Sequence, residues 1–116
     1  IYAQDPEGLA AWYTAALQMH EVRRIEKEGR PPVIFLQGET GAVVEILPTK
    51  NEREPRELES PGLTHLGIVV RDFARQRERL ANKHNVRLQG VRETSNGWII
   101  GYFDDPEGNV LELIQR

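Results

Sequence analysis

The chain is built from two halves that repeat the same order of predicted elements at a constant spacing of 67 residues. Asp5 and Asp72, each placed before a predicted helix, keep this spacing, and Glu45 and Glu112 keep it in the last strand of each half. Each half shows the pattern of one strand, one helix and three strands. Self-similarity at a fixed spacing indicates two copies of one supersecondary unit. We therefore predict an α+β fold of two tandem βαβββ modules that form a curved mixed sheet.

A charged segment punctuated by prolines separates the two halves. Residues 48–62 carry neither the apolar stripe that indicates a helix nor the alternating pattern that indicates a strand. We expect a first module over residues 1–47, a linker over 48–62 and a second module over 63–116, which together make one structural domain.

Both predicted helices begin at an aspartate, a residue that caps helix N-termini well. Asp5 is followed by proline and glutamate, which are typical of a first helical turn. Apolar residues then recur at intervals of three and four positions, and this spacing predicts a helix packed on a sheet. They are Leu9, Trp12, Tyr13, Ala16 and Leu17. Asp72 precedes a second helix over residues 73–84, whose basic side chains we expect to be solvated.

The length and composition exclude several classes of protein. The chain has 116 residues and 13.3 kDa, enough for one hydrophobic core without a disulfide or a structural metal. Its 15 Lys and Arg against 18 Asp and Glu provide no basic surface for nucleic acid. The absence of cysteine excludes thiolate ligands and a cysteine nucleophile. No apolar run approaches the roughly 18 residues of a membrane span, so we expect no nucleic-acid or membrane partner and a cytoplasmic location.

Two carboxylates interrupt apolar strands at equivalent positions of the repeat. Glu45 lies within Val43–Leu47, and Glu112 lies within Val110–Ile114. A buried carboxylate needs a cation, hydrogen bonds or a metal, because an unpaired one costs several kcal/mol. Alternation along a strand also allows a solvent-exposed face. The same interruption in both halves favours a functional role.

His65 supplies a further metal-binding side chain at the start of the second half. We expect it beside the last strand, which carries Glu112, so that both side chains line one face of the sheet. One imidazole and two carboxylates suit a divalent ion with water completing the coordination shell. His20 and His84 have no comparable partners in the pattern, and we expect them on the surface.

Two stretches of the second half carry a more specific pattern. They are Thr64–Val70, which leads to Asp72, and Tyr102–Ile114, which contains Asp-Asp-Pro-Glu-Gly-Asn. With the duplicated order of elements, they resemble the paired modules of the vicinal oxygen chelate superfamily, which includes glyoxalase I, extradiol dioxygenases and bleomycin resistance proteins. The resemblance covers nearly the whole chain and implies the glyoxalase-like fold.

The resemblance also implies a ligand set for one divalent metal ion, which could be Zn, Ni, Co, Mn or Fe. In this superfamily side chains from the first and last strands of each module bind the metal, which here assigns His65, Glu45 and Glu112 as ligands. The first-module counterpart of His65 would lie 67 residues earlier, ahead of Ile1. The sequence leaves open whether that fourth ligand precedes Ile1 or is absent.

The carboxylate in the first module is similar to the ligand set of glyoxalases and epimerases. The resemblance therefore implies a glyoxalase I-like lyase or isomerase. Its substrate would be a small dicarbonyl or hydroxyacyl compound, and thiol adducts of such compounds are included. The metal would stabilise an enediolate while Glu112 or Glu45, otherwise a ligand, acts as the catalytic base. Two alternatives remain: an extradiol ring-cleaving dioxygenase, and a metal-free small-molecule binding protein like the bleomycin resistance proteins. We expect a homodimer, as the superfamily implies.

Apolar and aromatic residues on the same strand faces are expected to be pocket walls or core. They are Val43, Leu47, Val69, Val110, Ile114, Phe35, Trp98 and Tyr102. No sequence feature identifies a glutathione or coenzyme A site. Arg23 and Arg24 lie on a predicted edge strand, where exposed arginines protect the sheet edge.

Overall fold

The structure, a computed structural model, describes residues 1–55, 57 and 59–116. The chain divides into two compact units, Ile1–Pro55 and Arg56–Arg116, and this division falls within the predicted linker. Positions 56 and 58 of that linker lie outside the described residues. Each unit contains one helix and one sheet of four strands. The predicted α+β fold of two βαβββ modules is confirmed.

The first unit contains β1 (Tyr2–Ala3), α1 (Pro6–Leu17), β2 (His20–Lys27), β3 (Arg30–Gln37) and β4 (Val43–Pro48). Its strands are arranged in the order β1-β4-β3-β2. β1 pairs with β4 in parallel, and the other two pairings are antiparallel. The helix therefore serves as the crossover that parallel pairing requires.

The second unit repeats this arrangement with β5 (Leu66–Val69), α2 (Phe73–His84), β6 (Gln89–Glu93), β7 (Ile99–Asp104) and β8 (Val110–Gln115). The strand order is β5-β8-β7-β6, again with one parallel pair at the first strand. None of the helices in the described parts of the chain is long and apolar enough to span a membrane.

The 67-residue repeat is present in the backbone as well as in the sequence. α1 and α2 begin and end 67 residues apart. The parallel pairs have the same register, since Tyr2 lies opposite Leu47 and Val69 lies opposite Ile114. The two modules are therefore equivalent strand by strand, and corresponding residues occupy the same face of each sheet.

Both predicted helix caps are formed. The Asp5 carboxylate accepts a hydrogen bond from the Gly8 backbone N–H, and the Asp72 carboxylate accepts one from the Arg75 backbone N–H, each at 2.9 Å. Each satisfies a backbone donor that has no partner within the helix. Both helices end at a residue in the left-handed conformation, Gln18 and Asn85.

One face of each sheet is covered by its helix and forms the core. Leu9, Tyr13 and Ala16 of α1 are buried, whereas Trp12 and Leu17 of the predicted stripe are only partly buried. The sheets contribute alternate residues, as the period of two along a strand requires. In the first unit they are Ile34, Leu36 and Ile46, and in the second they are Phe103, Leu111 and Leu113. Glu45 and Glu112 therefore occupy the opposite face of their sheets.

Two strands of the second unit are short. β5 begins at Leu66, so His65 immediately precedes it. β6 covers Gln89–Glu93, and its register shifts between Gln89 and Arg92. The shift coincides with Gly90, whose φ of +60° is a conformation that other residues rarely adopt.

Asp105 organises the turn between β7 and β8. It is 4% exposed, and its Oδ1 accepts hydrogen bonds from the backbone N–H groups of Glu107 and Asn109, both at 2.9 Å. Its Oδ2 accepts a third, from Asn109 Nδ2 at 2.8 Å. The equivalent residue of the first module is Gly38, and the turn there is bridged instead by Gln37, whose Nε2 donates a hydrogen bond to the Gly41 backbone oxygen at 2.9 Å.

We expect Asp105→Ala to reduce the free energy of unfolding by about 2–3 kcal/mol, because it removes the acceptor of three hydrogen bonds in a buried turn. Asp104→Ala is the matched control: Asp104 is exposed, and its loss should cost less than about 0.5 kcal/mol. Urea unfolding of both variants measures the difference. Equal destabilisation by the two would contradict this role for Asp105.

Candidate functional site

His65 and Glu112 meet on the face of the second sheet that the helix does not cover. His65 Nε2 lies 3.1 Å from Glu112 Oε2. The parallel register places Gly67 opposite Glu112, and His65, two residues earlier, projects to the same side. A Cβ built on Gly67 would lie 2.9 Å from Ile114 Cδ1, so the glycine leaves room for the Ile114 side chain on this face.

Thr64 contacts the other ring nitrogen of His65. Its Oγ1 lies 2.8 Å from Nδ1. An ionised carboxylate can only accept hydrogen bonds, so the contact with Glu112 requires a proton on Nε2. In the neutral ring Nδ1 is then an acceptor, and the Thr64 hydroxyl donates to it. A proton is thus held between His65 and Glu112 in this arrangement.

Tyr102 forms the third side of this cluster. It lies directly opposite Glu112 in the β7–β8 pair, and its ring packs edge-on against the His65 ring with centroids 5.5 Å apart. A hydrogen bond to the Glu112 carboxylate raises the pKa of the Tyr102 hydroxyl above its usual value, with burial adding to the effect. Arg92 opposes this shift in pKa, which places a guanidinium close to the same hydroxyl.

The cluster is partly protected from solvent. The side chain of Glu112 is 12% exposed and that of His65 is 34% exposed. The carboxylate that the sequence predicted to be costly is therefore largely desolvated, and His65 and Tyr102 are the groups that compensate it. The imidazole and the carboxylate thus lie together, and the exposed part of His65 leaves the cluster open to solvent.

The other predicted residues lie elsewhere. Glu45 is exposed on β4 of the first unit, opposite Phe35, and its backbone oxygen accepts a hydrogen bond from the Ile1 amino group at 2.7 Å. His20 is exposed at the start of β2. His84 ends α2, where its Nε2 lies 3.3 Å from Arg79 Nη1.

The spacing of His65 and Glu112 is compatible with a shared metal ion. Bonds of about 2.0–2.2 Å to one ion place a nitrogen and an oxygen ligand about 2.9–3.4 Å apart, for angles between octahedral and tetrahedral. The observed 3.1 Å falls in this range. No group of three His, Asp or Glu side chains able to hold a metal is found within residues 1–55, 57 and 59–116. The metal role of His65, Glu45 and Glu112 stays a prediction.

Two residues, one in the cluster and one beside it, were not predicted from the sequence as parts of a site. Thr64 directly precedes His65, so the sequence already places the two residues next to each other. The contact between the Thr64 hydroxyl and His65 Nδ1, however, depends on the backbone conformation before β5. Arg92 lies beside Tyr102 at the register shift of β6, and Gly90, a glycine within the strand, is the sequence signal that could have indicated this shift.

We expect Glu112→Gln to lower the pKa of Tyr102 towards about 10, because the charge that disfavours the phenolate is removed. Arg92→Gln should raise it further. Ultraviolet absorbance titration measures both, with Tyr102→Phe identifying the transition and Glu107→Gln as control. Since the folded-state pKa exceeds the unfolded one, the Tyr102 proton stabilises the fold below about pH 10, and this contribution is lost as the pH rises through the folded-state pKa.

Comparison with known proteins extends these observations. The family model described as Glyoxalase/Bleomycin resistance protein/Dioxygenase superfamily matches residues 1–113. Among solved structures, SMU.1112c is 25% identical with a TM-score of 0.80, over 98% of this chain and 92% of that chain. No match is found among curated proteins.

Two further structures share the fold at lower identity. A glyoxylase/bleomycin resistance protein/dioxygenase domain from Frankia sp. EAN1pec is 21% identical with a TM-score of 0.77, over 98% of this chain and 85% of that chain. Lactoylglutathione lyase from Agrobacterium tumefaciens is 18% identical with a TM-score of 0.69, over 99% of this chain and 88% of that chain. Because the family model spans all ten helices and strands except the end of β8, the chain belongs to the Glyoxalase/Bleomycin resistance protein/Dioxygenase superfamily.

Proposed function

We propose that this protein is a divalent-metal-dependent lyase or isomerase of the glyoxalase type. It acts on a small dicarbonyl or hydroxyacyl compound, a class that includes thiol adducts. The observation that supports it most is the 3.1 Å contact between His65 Nε2 and Glu112 Oε2, with the Tyr102 hydroxyl beside the same carboxylate. These groups combine two metal-ligand types with a proton donor on one face of one sheet.

His65 and Glu112 would hold the metal, with Glu45 of the first unit as the proposed third ligand. When bound, the ion would polarise a substrate carbonyl and stabilise the negative charge that develops when the adjacent carbon loses a proton. Nitrogen and carboxylate ligands suit Zn, Ni, Co, Mn and Fe alike. The superfamily membership supports this class of reaction, although fold alone does not determine an activity.

The side chains of this chain would provide proton transfer, hydrogen bonding and orientation of the His65 ring. Glu112, or Glu45, accepts the proton that leaves the substrate carbon and returns it to the neighbouring carbon. Tyr102 carries its proton at neutral pH, as any tyrosine with a pKa of about 10 or above does, so it can donate a hydrogen bond to Glu112 or to a substrate oxygen. Thr64 orients the His65 ring through Nδ1.

We expect the purified protein to bind about one divalent ion per chain, and we expect His65→Ala and Glu112→Gln to lose it. Glu45→Gln should lose it or bind it more weakly. Elemental analysis after reconstitution with each of the five metals measures the stoichiometry, and His20→Ala, at an exposed histidine, is the matched control.

The same preparations test the reaction. The metal-loaded protein should exchange the carbon-bound proton of the methylglyoxal–glutathione adduct with solvent deuterium, without oxygen uptake, and Glu112→Gln should abolish exchange. Absence of metal in the wild type after reconstitution would contradict the proposal and favour the metal-free binding protein. Oxygen consumption on a catechol with bound iron would favour the dioxygenase.

We also expect Thr64→Val to weaken metal binding by about 10- to 100-fold, whereas Thr64→Ser should retain it. A metal at Nε2 requires the ring proton to lie on Nδ1, where the Thr64 hydroxyl would accept it. A hydroxyl can donate in the metal-free form and accept in the metal-bound form, and valine can do neither. Calorimetric titration with Zn²⁺ or Ni²⁺ measures the affinities. Equal affinities of wild type and Thr64→Val would contradict this role.

A further inference from the structure

Arg92 lies on the same sheet face as the cluster formed by His65, Glu112, Thr64 and Tyr102, and it forms no ion pair with the Glu112 carboxylate. In the antiparallel pairs Arg92 is opposite Ile100, and Ile100 is opposite Ile114. Opposed residues project to one face, and residues two positions apart share it. Arg92 therefore projects to the face that carries Tyr102 and Glu112.

The irregular register of β6 brings the guanidinium next to the Tyr102 ring. A Cβ built on Gly90 would lie 3.6 Å from Tyr102 Cδ2 and 3.8 Å from Arg92 Nη1, so both side chains border the space above this glycine. Arg92 Nη1 also donates a hydrogen bond to the Gly90 backbone oxygen at 3.2 Å. The backbone thus fixes one end of the guanidinium beside the tyrosine.

The charge of Arg92 is not neutralised by an acidic side chain. Arg24, by contrast, forms ion pairs with Glu7, Glu21 and Glu26. Arg92 is exposed and has no such contact. A guanidinium carries five N–H donors in a planar fork; the bond to Gly90 uses one of them and the hydrogen bond to the Tyr102 hydroxyl uses another. The remaining donors are available to a ligand at the cluster.

We infer that Arg92 binds a carboxylate of the substrate, so that the substrate is an organic acid whose vicinal oxygens face His65 and Glu112 while its carboxylate pairs with Arg92. This inference rests on the proposed function and specifies its substrate class. The guanidinium fork matches a carboxylate in a bidentate arrangement. The fork can also bind a phosphate group, so inorganic phosphate serves as a comparison probe.

Charge and position of Arg92 both support this assignment. Its Nη1 and the Tyr102 ring border the same space above Gly90, on the sheet face that carries Glu112. Arg23, at an equivalent edge strand of the first module, instead lies over the Phe35 ring at 5.9 Å, where an aromatic face replaces the hydroxyl. The second module alone combines a cation, a hydroxyl and a carboxylate at these strand positions.

The test is a titration of the full-length, metal-free protein with succinate, followed by amide NMR spectroscopy. Succinamide, which has the same shape without the charge, and inorganic phosphate are the comparison probes. We expect succinate to shift the signals of residues 89–92 and of Tyr102. Arg92→Gln should weaken succinate binding by about 10- to 100-fold, and Arg77→Gln, at an exposed arginine of α2, should leave it unchanged.

Three outcomes would overturn the inference: no binding of succinate, equal binding by wild type and Arg92→Gln, or phosphate binding at these residues where succinate does not bind. A second measurement separates the inference from the proposed function. Because Arg92 is not a proposed ligand, Arg92→Gln should keep the metal stoichiometry of the wild type. Succinate binding without any metal binding would contradict the proposed function alone, whereas metal binding without succinate binding would contradict the inference alone.

Discussion

The parallel pairing of β5 with β8 is the constraint on which the site depends. Its register places Gly67 opposite Glu112, and this puts His65, two residues before Gly67, on the face that carries the carboxylate. A shift of one residue would turn every side chain of β5 to the other face, and it would separate the imidazole from Glu112. The buried residues of β8, Leu111 and Leu113, hold this register because they must face the core.

The largely desolvated Glu112 explains why its neighbours are polar. Removing a carboxylate from water costs several kcal/mol unless hydrogen bonds or a cation compensate it. His65 and Tyr102 supply such contacts from the two strands that flank β8. Because about one-third of the His65 side chain is exposed, a ligand could replace the imidazole as the hydrogen-bond partner of Glu112.

The two modules share a backbone but differ in side-chain chemistry. The residue opposite the central glutamate is Phe35 in the first module and Tyr102 in the second. The last turn begins at Gly38 in one and at the buried Asp105 in the other. The equivalent backbone therefore does not impose equivalent chemistry, and the polar cluster described above belongs to the second module.

Much of this architecture follows from the sequence by itself. The constant 67-residue spacing determined the two modules and the order of their elements along the chain, and the caps at Asp5 and Asp72 determined the helix starts, because periodicity and capping are local properties of the chain. Placing Glu112 within an apolar strand also marked it as a residue in need of partners. What only the tertiary structure decided is the identity of those partners. The Thr64 contact and the approach of Arg92 to Tyr102 depend on where β5 begins and where β6 shifts register, and both are set by packing between strands that are far apart in the sequence.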